Sequence, residues 1–243
     1  RMTHSRPNVA QTPNSHALFG KECRECWVAD TGYKLLGVDA SGLQLRLLAH
    51  YLGVRSYIDE ILSGDIHTFN QTLAGIDTRD QAKTFIYAYI FGAGDKKLGS
   101  VVGGSAKDGA RLRATFLSQL PALAALQKQI ETAAKRGYLS GLDGRKVFIR
   151  SAHSGLAAAL QSAEAIVMKT ALVLLDTAIK ENGWDARYVA NIHDEFQLEC
   201  IEEHCKEVGE AAVASIVEAG NLLALKCPLD GEYKVGNNWS ETH

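Results

Sequence analysis

The sequence lacks the long apolar run that a membrane-spanning helix needs. We find no stretch that approaches the ~20 consecutive apolar residues that cross a bilayer, and no apolar core of a secretory signal near the N-terminus. Internal repeats and low-complexity tracts are also missing. The composition, 46% hydrophobic and 22% charged, is that of a soluble globular protein. We therefore expect a chain with a large core, which can be split over two subdomains, and no membrane partner.

A strong net charge and a metal-type cysteine pattern are absent as well. The formal net charge is −2, whereas nucleic-acid-binding proteins are usually basic, so the overall charge mildly disfavours nucleic acid. Five cysteines, an odd number, favour a reducing, cytoplasmic compartment. The lone pair Cys23 and Cys26 has no second pair like it, which favours free thiols over a zinc site. Cations do cluster, at Arg79, Lys83, Lys96 and Lys97 and again at Arg145, Lys146 and Arg150.

Two aspartates follow apolar, strand-like runs in different parts of the chain. Asp39 ends the run that begins at Leu35, and Asp194 follows the run that ends at Ile192. A single aspartate in such a place usually caps a helix or turn. Two in matching contexts favour metal ligands, because converging carboxylates can hold a pair of Mg²⁺ ions about 3.5–4 Å apart. The neighbouring Glu195 can either coordinate or form hydrogen bonds.

A helix is predicted between the segments that contain Asp39 and Asp194, with Thr78 at its N-cap and Gly92 at its end. Side chains four positions apart are neighbours on a helix. One face of this helix therefore carries Arg79, Lys83, Tyr87 and Phe91. Two cations suit a triphosphate and two rings suit a base. The alternative is a merely solvated face, but such a face seldom carries two aromatic rings.

Strand patterns are few and lie toward both ends of the chain, while helical patterns fill the middle. This arrangement predicts the α+β class, with a small antiparallel sheet that holds the carboxylates and a mostly helical insertion. Residues 1–33 are predicted to be irregular. The predicted strands are 35–39, 188–192, 196–199 and 233–235, with a further hairpin at 138–149. The predicted helices are 42–52, 58–62, 67–73, 79–91, 106–117, 122–135, 156–179 and 207–223.

The segments around Asp39, along the predicted helix from Arg79, and around Asp194 resemble motifs A, B and C of the family A DNA polymerases, most closely those of the bacteriophage replicative branch. Further strings match in the same order: Arg1–Ser5 with Pro7 and Asn8, Gly64–Thr68, Gly141–Val147, and Gly236–Trp239 with His243. The resemblance covers essentially the whole chain. It implies a right-hand polymerase fold that lacks the thumb, with palm segments at 1–54 and 136–243 and fingers at 55–135.

The resemblance also implies an activity, cofactors and partners. The activity is template-directed DNA synthesis from deoxynucleoside triphosphates on a primer-template, in the host cytoplasm if the gene is from a phage. Asp39, Asp194 and the Ala40 carbonyl would hold two Mg²⁺ ions. The thumb and an exonuclease-like domain would belong to an N-terminal part, present as a separate or a removed chain.

The resemblance further assigns roles in substrate and DNA binding. Arg79, Lys83 and His67 would grip the triphosphate, and Lys83 would also protonate the leaving pyrophosphate. Tyr87 would stack on the incoming sugar and base, and Phe91 near the template base. The DNA contacts would come from Arg1 and Gln161 in the minor groove of the primer terminus, His193 on the primer strand, and Asn8 and Gln11 on the backbone.

Two positions depart from the family pattern. Gln44 stands where the family usually has a glutamate under the nucleotide sugar, and Phe91 stands where it usually has a tyrosine. Gln44 slightly favours one alternative, a single-subunit phage-type RNA polymerase. A second alternative is a non-catalytic nucleic-acid-binding fragment that is inactive without its thumb. We find no exonuclease carboxylate set, so we do not expect proofreading from this chain.

Overall fold

The computed structural model describes residues 4–149 and 151–243. The chain forms two compact units. One, here called the sheet unit, contains the residues up to Leu43 together with Ala163–His243; the other, the helical unit, is Gln44–Ser162. The predicted palm and fingers bounds at 54 and 135 remain predictions.

Across the described ranges, ten α-helices and six strands follow one another. The first half contains α1 (Gly20–Glu25), β1 (Tyr33–Ala40), α2 (Leu43–Leu52), α3 (Arg55–Leu62), α4 (Ile66–Ala74), α5 (Arg79–Ile90), α6 (Asp95–Val101) and α7 (Ala106–Gln119). The second half contains α8 (Pro121–Arg136), β2 (Tyr138–Ser140), β3 (Lys146–Phe148), α9 (Gly155–Asn182), β4 (Ala186–Ile192), β5 (Glu195–Ile201), α10 (Cys205–Leu222) and β6 (Gly231–Gly236).

The sheet unit is built on a four-stranded antiparallel sheet in the order β4-β5-β1-β6. Leu36 and Val38 of the central strand β1 are fully buried. Helix α10 packs against β1, β5 and β6. Its buried residues recur at helical spacing, which gives the helix one apolar face: Val208, Ala212, Ile216 and Ala219. The sheet register places Asp39 of β1 opposite Glu195 of β5.

An aromatic cluster forms the centre of the helical unit. The rings of Phe85 and Phe116 meet edge to face at 5.5 Å, and Tyr89 meets Phe116 at 5.7 Å. Helix α5 begins where the Thr78 side chain accepts a hydrogen bond from the Gln81 backbone. It ends before Gly92, whose φ is +76°. A Cβ there would meet the His153 carbonyl oxygen at 2.8 Å, so this turn requires glycine.

The predicted fold class is confirmed, and so are the predicted strands and the eight predicted helices. Two helices were not predicted: α1, within the stretch expected to be irregular, and α6. Both are short, six and seven residues. Helix α6 also contains Gly99, where a Cβ would lie 1.8 Å from the Ser105 carbonyl oxygen. Its glycine therefore serves close packing against α7, a tertiary reason that outweighs glycine's low helix propensity.

The long helical stretch Ala152–Asn182 corrects the expectation about apolar segments. Within the described residues it alone is long and apolar enough to cross a membrane by length and composition. Gln161, Glu164 and Lys169 interrupt the apolar run, which is why no continuous run is visible in the sequence. The buried side chains Leu160 and Val167 show instead that the helix contributes to the protein core.

The aromatic cluster allows a test of the core. Phe116 is fully buried, whereas Phe148 is 79% exposed. Phe116→Ala should lower the free energy of unfolding by about 3–5 kcal/mol, because it removes apolar burial and leaves a cavity. The matched control Phe148→Ala should change it by less than about 0.5 kcal/mol. Urea denaturation measures both, and equal effects of the two substitutions would contradict the packing described here.

Candidate active site

Two backbone features bring Asp39 and Asp194 to the same edge of the sheet. Strands β4 and β5 pair up to Ile192 and Glu195, so His193 and Asp194 form the turn between them. His193 has a φ of +62°, a left-handed conformation that costs energy in a residue other than glycine. The Ala40 N–H, next to Asp39, donates to the Asp194 carbonyl oxygen at 3.0 Å. The two aspartates predicted from the sequence are therefore neighbours in the structure.

The surroundings of Asp39 disfavour its negative charge. Burial, together with the nearby carboxylates of Asp194 and Glu195, raises the pKa of Asp39 to about 7. His243 acts in the opposite direction. Burial and the neighbouring carboxylates thus both disfavour the charged form of Asp39.

The third carboxylate, Glu195, is 3% exposed and already has three partners. Its Oε1 accepts hydrogen bonds from Trp239 Nε1 at 2.7 Å and Gln197 Nε2 at 2.6 Å, and its Oε2 lies 2.7 Å from His243 Nδ1. Burial alone would raise the pKa of Glu195, but these partners hold it below its usual range. The contacts favour hydrogen bonding over coordination for Glu195.

The donor chemistry at Asp39 and Asp194 fits a hard divalent cation. Mg²⁺ prefers oxygen ligands and takes only one or two protein carboxylates, with water and phosphate oxygens in the other positions. Among residues 4–149 and 151–243, no group of three or more His, Cys, Asp or Glu side chains is arranged to hold a metal. Two aspartates are nevertheless enough for Mg²⁺, and a bound cation would offset the burial and the carboxylate neighbours that raise the pKa of Asp39.

The helical unit gathers a second set of predicted residues. The rings of His67 on α4 and Tyr87 on α5 lie 6.2 Å apart. Burial lowers the pKa of His67, and the positive charges of Arg79 and Lys83 lower it further. Since these charges act on one imidazole, His67, Arg79, Lys83 and Tyr87 form one group in space. The predicted α5 face is therefore present, with Phe91 45% exposed at its end.

Arg79 is held by a carboxylate that the sequence analysis did not consider. Its Nε donates to Asp65 Oδ2 at 2.6 Å. Asp65 is also the N-cap of α4 and accepts from the backbone of His67 at 3.0 Å. The Arg79 guanidinium holds the pKa of Asp65 well below its usual range. Any phosphate that binds Arg79 has to compete with this ion pair.

The other predicted residues that the structure describes lie on elements different from α4 and α5. Gln44 is buried on α2, and Gln161 is half-buried on α9. Asn8 and Gln11 are exposed; Asn8 precedes the single helical turn Val9–Gln11, and Gln11 is its last residue. Arg1 lies outside the described residues. The roles assigned to these residues stay predictions.

The partners of Glu195 were missed by sequence reasoning. Trp239 and His243 were noted as matching strings, but nothing in the sequence connects them to Glu195. Their pairing depends on β6 returning beside β1, since the segment from Asn237 to Thr242 continues from β6. Within that segment Thr242 Oγ1 donates to Gln197 Oε1 at 2.9 Å.

Comparison with known proteins gives consistent results. The family model described as DNA polymerase family A matches residues 1–241. The DNA-directed DNA polymerases of Enterobacteria phage T3 and Escherichia phage T7 are 41% and 40% identical, and each alignment covers 100% of this chain and 39% of the relative. The chain thus spans about two fifths of the length of these curated relatives.

A solved structure shows the same fold. The polymerase domain of Pol1 from M. smegmatis, in complex with DNA primer-template and dNTP, has a TM-score of 0.89 and 23% sequence identity. The match covers 100% of this chain and 46% of that one.

The raised pKa of Asp39 predicts a pH-dependent stability. The unfolded chain ionises Asp39 near 3.8 and the folded chain near 7. The folded state is therefore progressively penalised as the pH rises from 4 through 7. In EDTA, Asp39→Asn should unfold less readily than wild type at pH 8, by up to about 4 kcal/mol since one pKa unit is worth about 1.4 kcal/mol.

Denaturant titrations at pH 4 and pH 8 measure this difference. At pH 4 the two proteins should be nearly equal. Glu232→Gln is the matched control, because Glu232 is the weakest contributor to the Asp39 shift. A gain for Asp39→Asn that does not grow with pH would contradict the electrostatic account.

Proposed function

The chain belongs to DNA polymerase family A, and on that premise we propose that it carries out template-directed DNA synthesis from deoxynucleoside triphosphates. The observation that carries the proposal is the adjacency of Asp39 and Asp194, which are fixed at one sheet edge by the Ala40 hydrogen bond. The relatives that share about 40% identity are named DNA-directed DNA polymerases.

Asp39 and Asp194, with the Ala40 carbonyl, would hold two divalent cations, with Mg²⁺ as the expected metal. When bound, such a pair supplies Lewis-acid stabilisation of the attacking and leaving oxygens in nucleotidyl transfer. The protein's own contribution is a rigid pair of carboxylates. Glu195, the residue after Asp194, helps to fix this pair. Its contacts with Trp239, Gln197 and His243 hold the start of β5 in place.

The cationic group of the helical unit would bind the triphosphate. Arg79 and His67 offer N–H donors to phosphate oxygens, and Arg79 would exchange Asp65 for phosphate. Lys83 would donate its proton to the leaving pyrophosphate oxygen, a general-acid role worth about 10²–10⁴-fold. Tyr87 and Phe91 would stack on the incoming nucleotide and the template base. Gln44 would lie under the sugar.

The distribution of charge supports binding to phosphates despite the net charge of −2. The helical unit has 15 Lys and Arg residues against nine Asp and Glu, whereas the sheet unit has 11 against 19. Cations concentrated on one unit can neutralise DNA phosphates, and carboxylates concentrated on the other suit metal binding. Primer-template DNA would contact Arg1, Asn8, Gln11, Gln161 and His193. An N-terminal polymerase part would supply the remaining contacts with the DNA duplex.

Removing either aspartate tests the reaction. Asp39→Asn and Asp194→Asn should each lower single-turnover primer extension by at least about 10³-fold, because several kcal/mol of charge stabilisation are lost. Affinity for primer-template should persist. The assay uses the chain with and without an N-terminal polymerase part, and Glu232→Gln is the control. Near-normal extension by either variant would refute the assigned roles.

The two cations of α5 should behave differently. Lys83→Ala should lower kcat as well as nucleotide affinity, because Lys83 acts both as a charge and as an acid. Arg79→Ala should mainly raise KM, since it removes binding common to ground and transition states. Steady-state extension at varied nucleotide concentration separates these effects. If both variants change KM alone, Lys83 has no acid role.

A further inference from the structure

A small hairpin in the helical unit combines aromatic rings and cations that have no role in the proposed nucleotidyl transfer. Strands β2 and β3 pair Tyr138 with Phe148 and Ser140 with Lys146. Side chains alternate across a strand, so these four residues share one face while Leu139 points to the other and is buried. We call this face, with Arg136, the hairpin platform.

The platform presents aromatic rings to solvent. Phe148 is 79% exposed, which is unusual for a ring of this size. The ring centroids of Phe148 and Tyr138 are 6.4 Å apart at an angle of 63°, so the two rings are not stacked on each other. One face of Phe148 can therefore receive another flat group.

Cations surround the second ring. The Arg136 guanidinium lies 4.7 Å from the Tyr138 ring centroid, and the Lys146 ammonium lies 4.9 Å from it. Arg145 at the hairpin turn is paired with Asp143 at 2.6 Å. Residues 135–149 include four Lys or Arg residues and one acidic residue. The platform is thus positively charged as well as aromatic.

An open groove on α8 leads to this platform. It has a volume of about 480 Å³ and is lined by Lys128, Gln129, Thr132 and Arg136, together with two alanines. Arg136 belongs both to the groove and to the platform. The surface of the groove is mostly apolar, its lining includes the cations Lys128 and Arg136, and its small residues leave room for a chain to lie along the helix.

We propose that the hairpin platform and this groove bind single-stranded DNA, with an unpaired base stacked on Phe148 and the phosphates held by Arg136, Lys146 and Lys128. Proteins bind single strands by combining aromatic rings, on which bases stack, with cations that follow the backbone. The inference rests on the proposed function, in which the strand would be the unpaired part of the template.

Charge and geometry favour this partner over others. The bases of a duplex are already stacked and paired, so an exposed phenyl ring has no accessible base face there. An acidic protein would satisfy the cations, but it would not need the ring. Phe148 is therefore the residue that distinguishes a single strand from any other polyanion.

Binding of a fluorescent oligothymidylate of about 16 nucleotides to the 243-residue chain tests the inference. Phe148→Ala should weaken binding by about 5- to 100-fold, the range expected from the loss of one stacked base. Phe148→Trp should bind at least as tightly as wild type. Val173→Ala is the matched control, because Val173 is a 66% exposed apolar residue on α9 of the sheet unit, and it should change nothing.

Two further measurements identify the partner. An oligonucleotide with abasic sites throughout should bind wild type and Phe148→Ala equally, and Lys146→Gln should reduce the salt dependence of oligothymidylate binding by about one charge. Equal binding of oligothymidylate to wild type and Phe148→Ala would overturn the proposal. So would polyglutamate binding that is as tight as oligothymidylate and equally weakened by Phe148→Ala, since that indicates an acidic protein partner.

Primer extension separates this inference from the proposed function. Phe148→Ala should extend a primer normally on a template with a one-nucleotide overhang. On a template with a long overhang, it should need a higher DNA concentration than wild type to reach the same extension rate. If Phe148→Ala binds and extends like wild type on both templates while Asp39→Asn is inactive, the platform fails and the polymerase proposal stands. If oligothymidylate binding depends on Phe148 but no conditions give extension, the polymerase proposal fails instead.

Discussion

Burial of the Asp39 carboxylate at the end of β1, together with repulsion from its carboxylate neighbours, is the constraint on which the candidate active site depends. The β1–β5 register puts Asp39 opposite Glu195, and the Ala40 hydrogen bond holds Asp194 beside them. The fold tolerates this arrangement because strand pairing fixes the backbone positions despite the repulsion between the carboxylates. The cost appears in the pKa of Asp39, which rises to about 7. A site with a partly buried carboxylate beside two further carboxylates favours a cation.

The three carboxylates do not share one role. Glu195 is saturated by Trp239, Gln197 and His243, and its charge holds the segment after β6 against the sheet. For Asp39, burial and the charges of Asp194 and Glu195 outweigh the charge of His243, so its pKa is raised instead of lowered. One carboxylate therefore stabilises the architecture, and the other two are the proposed metal ligands. In the helical unit Asp65 plays a similar supporting part, since it caps α4 and orients Arg79.

Local patterns predicted much of the fold and part of the candidate site. Thr78 and the spacing of Arg79, Lys83 and Tyr87 predicted α5 and its face, because capping and helical periodicity depend on near neighbours in sequence. The Arg79–Asp65 ion pair and the partners of Glu195 could not be predicted, since they join residues that only the tertiary fold brings together. Helix α6 was missed for the same reason: its glycine is explained by contact with α7.

Binding of a divalent cation beside Asp194 should remove the proton from Asp39. Calorimetric titration with Mg²⁺ in buffers of different ionisation enthalpy measures the protons released. With the pKa of Asp39 near 7, wild type should release about half a proton per chain at pH 7 and almost none at pH 9. Asp39→Asn should release none at either pH. Mg²⁺ binding without proton release from wild type at pH 7, or no binding at all, would contradict the account.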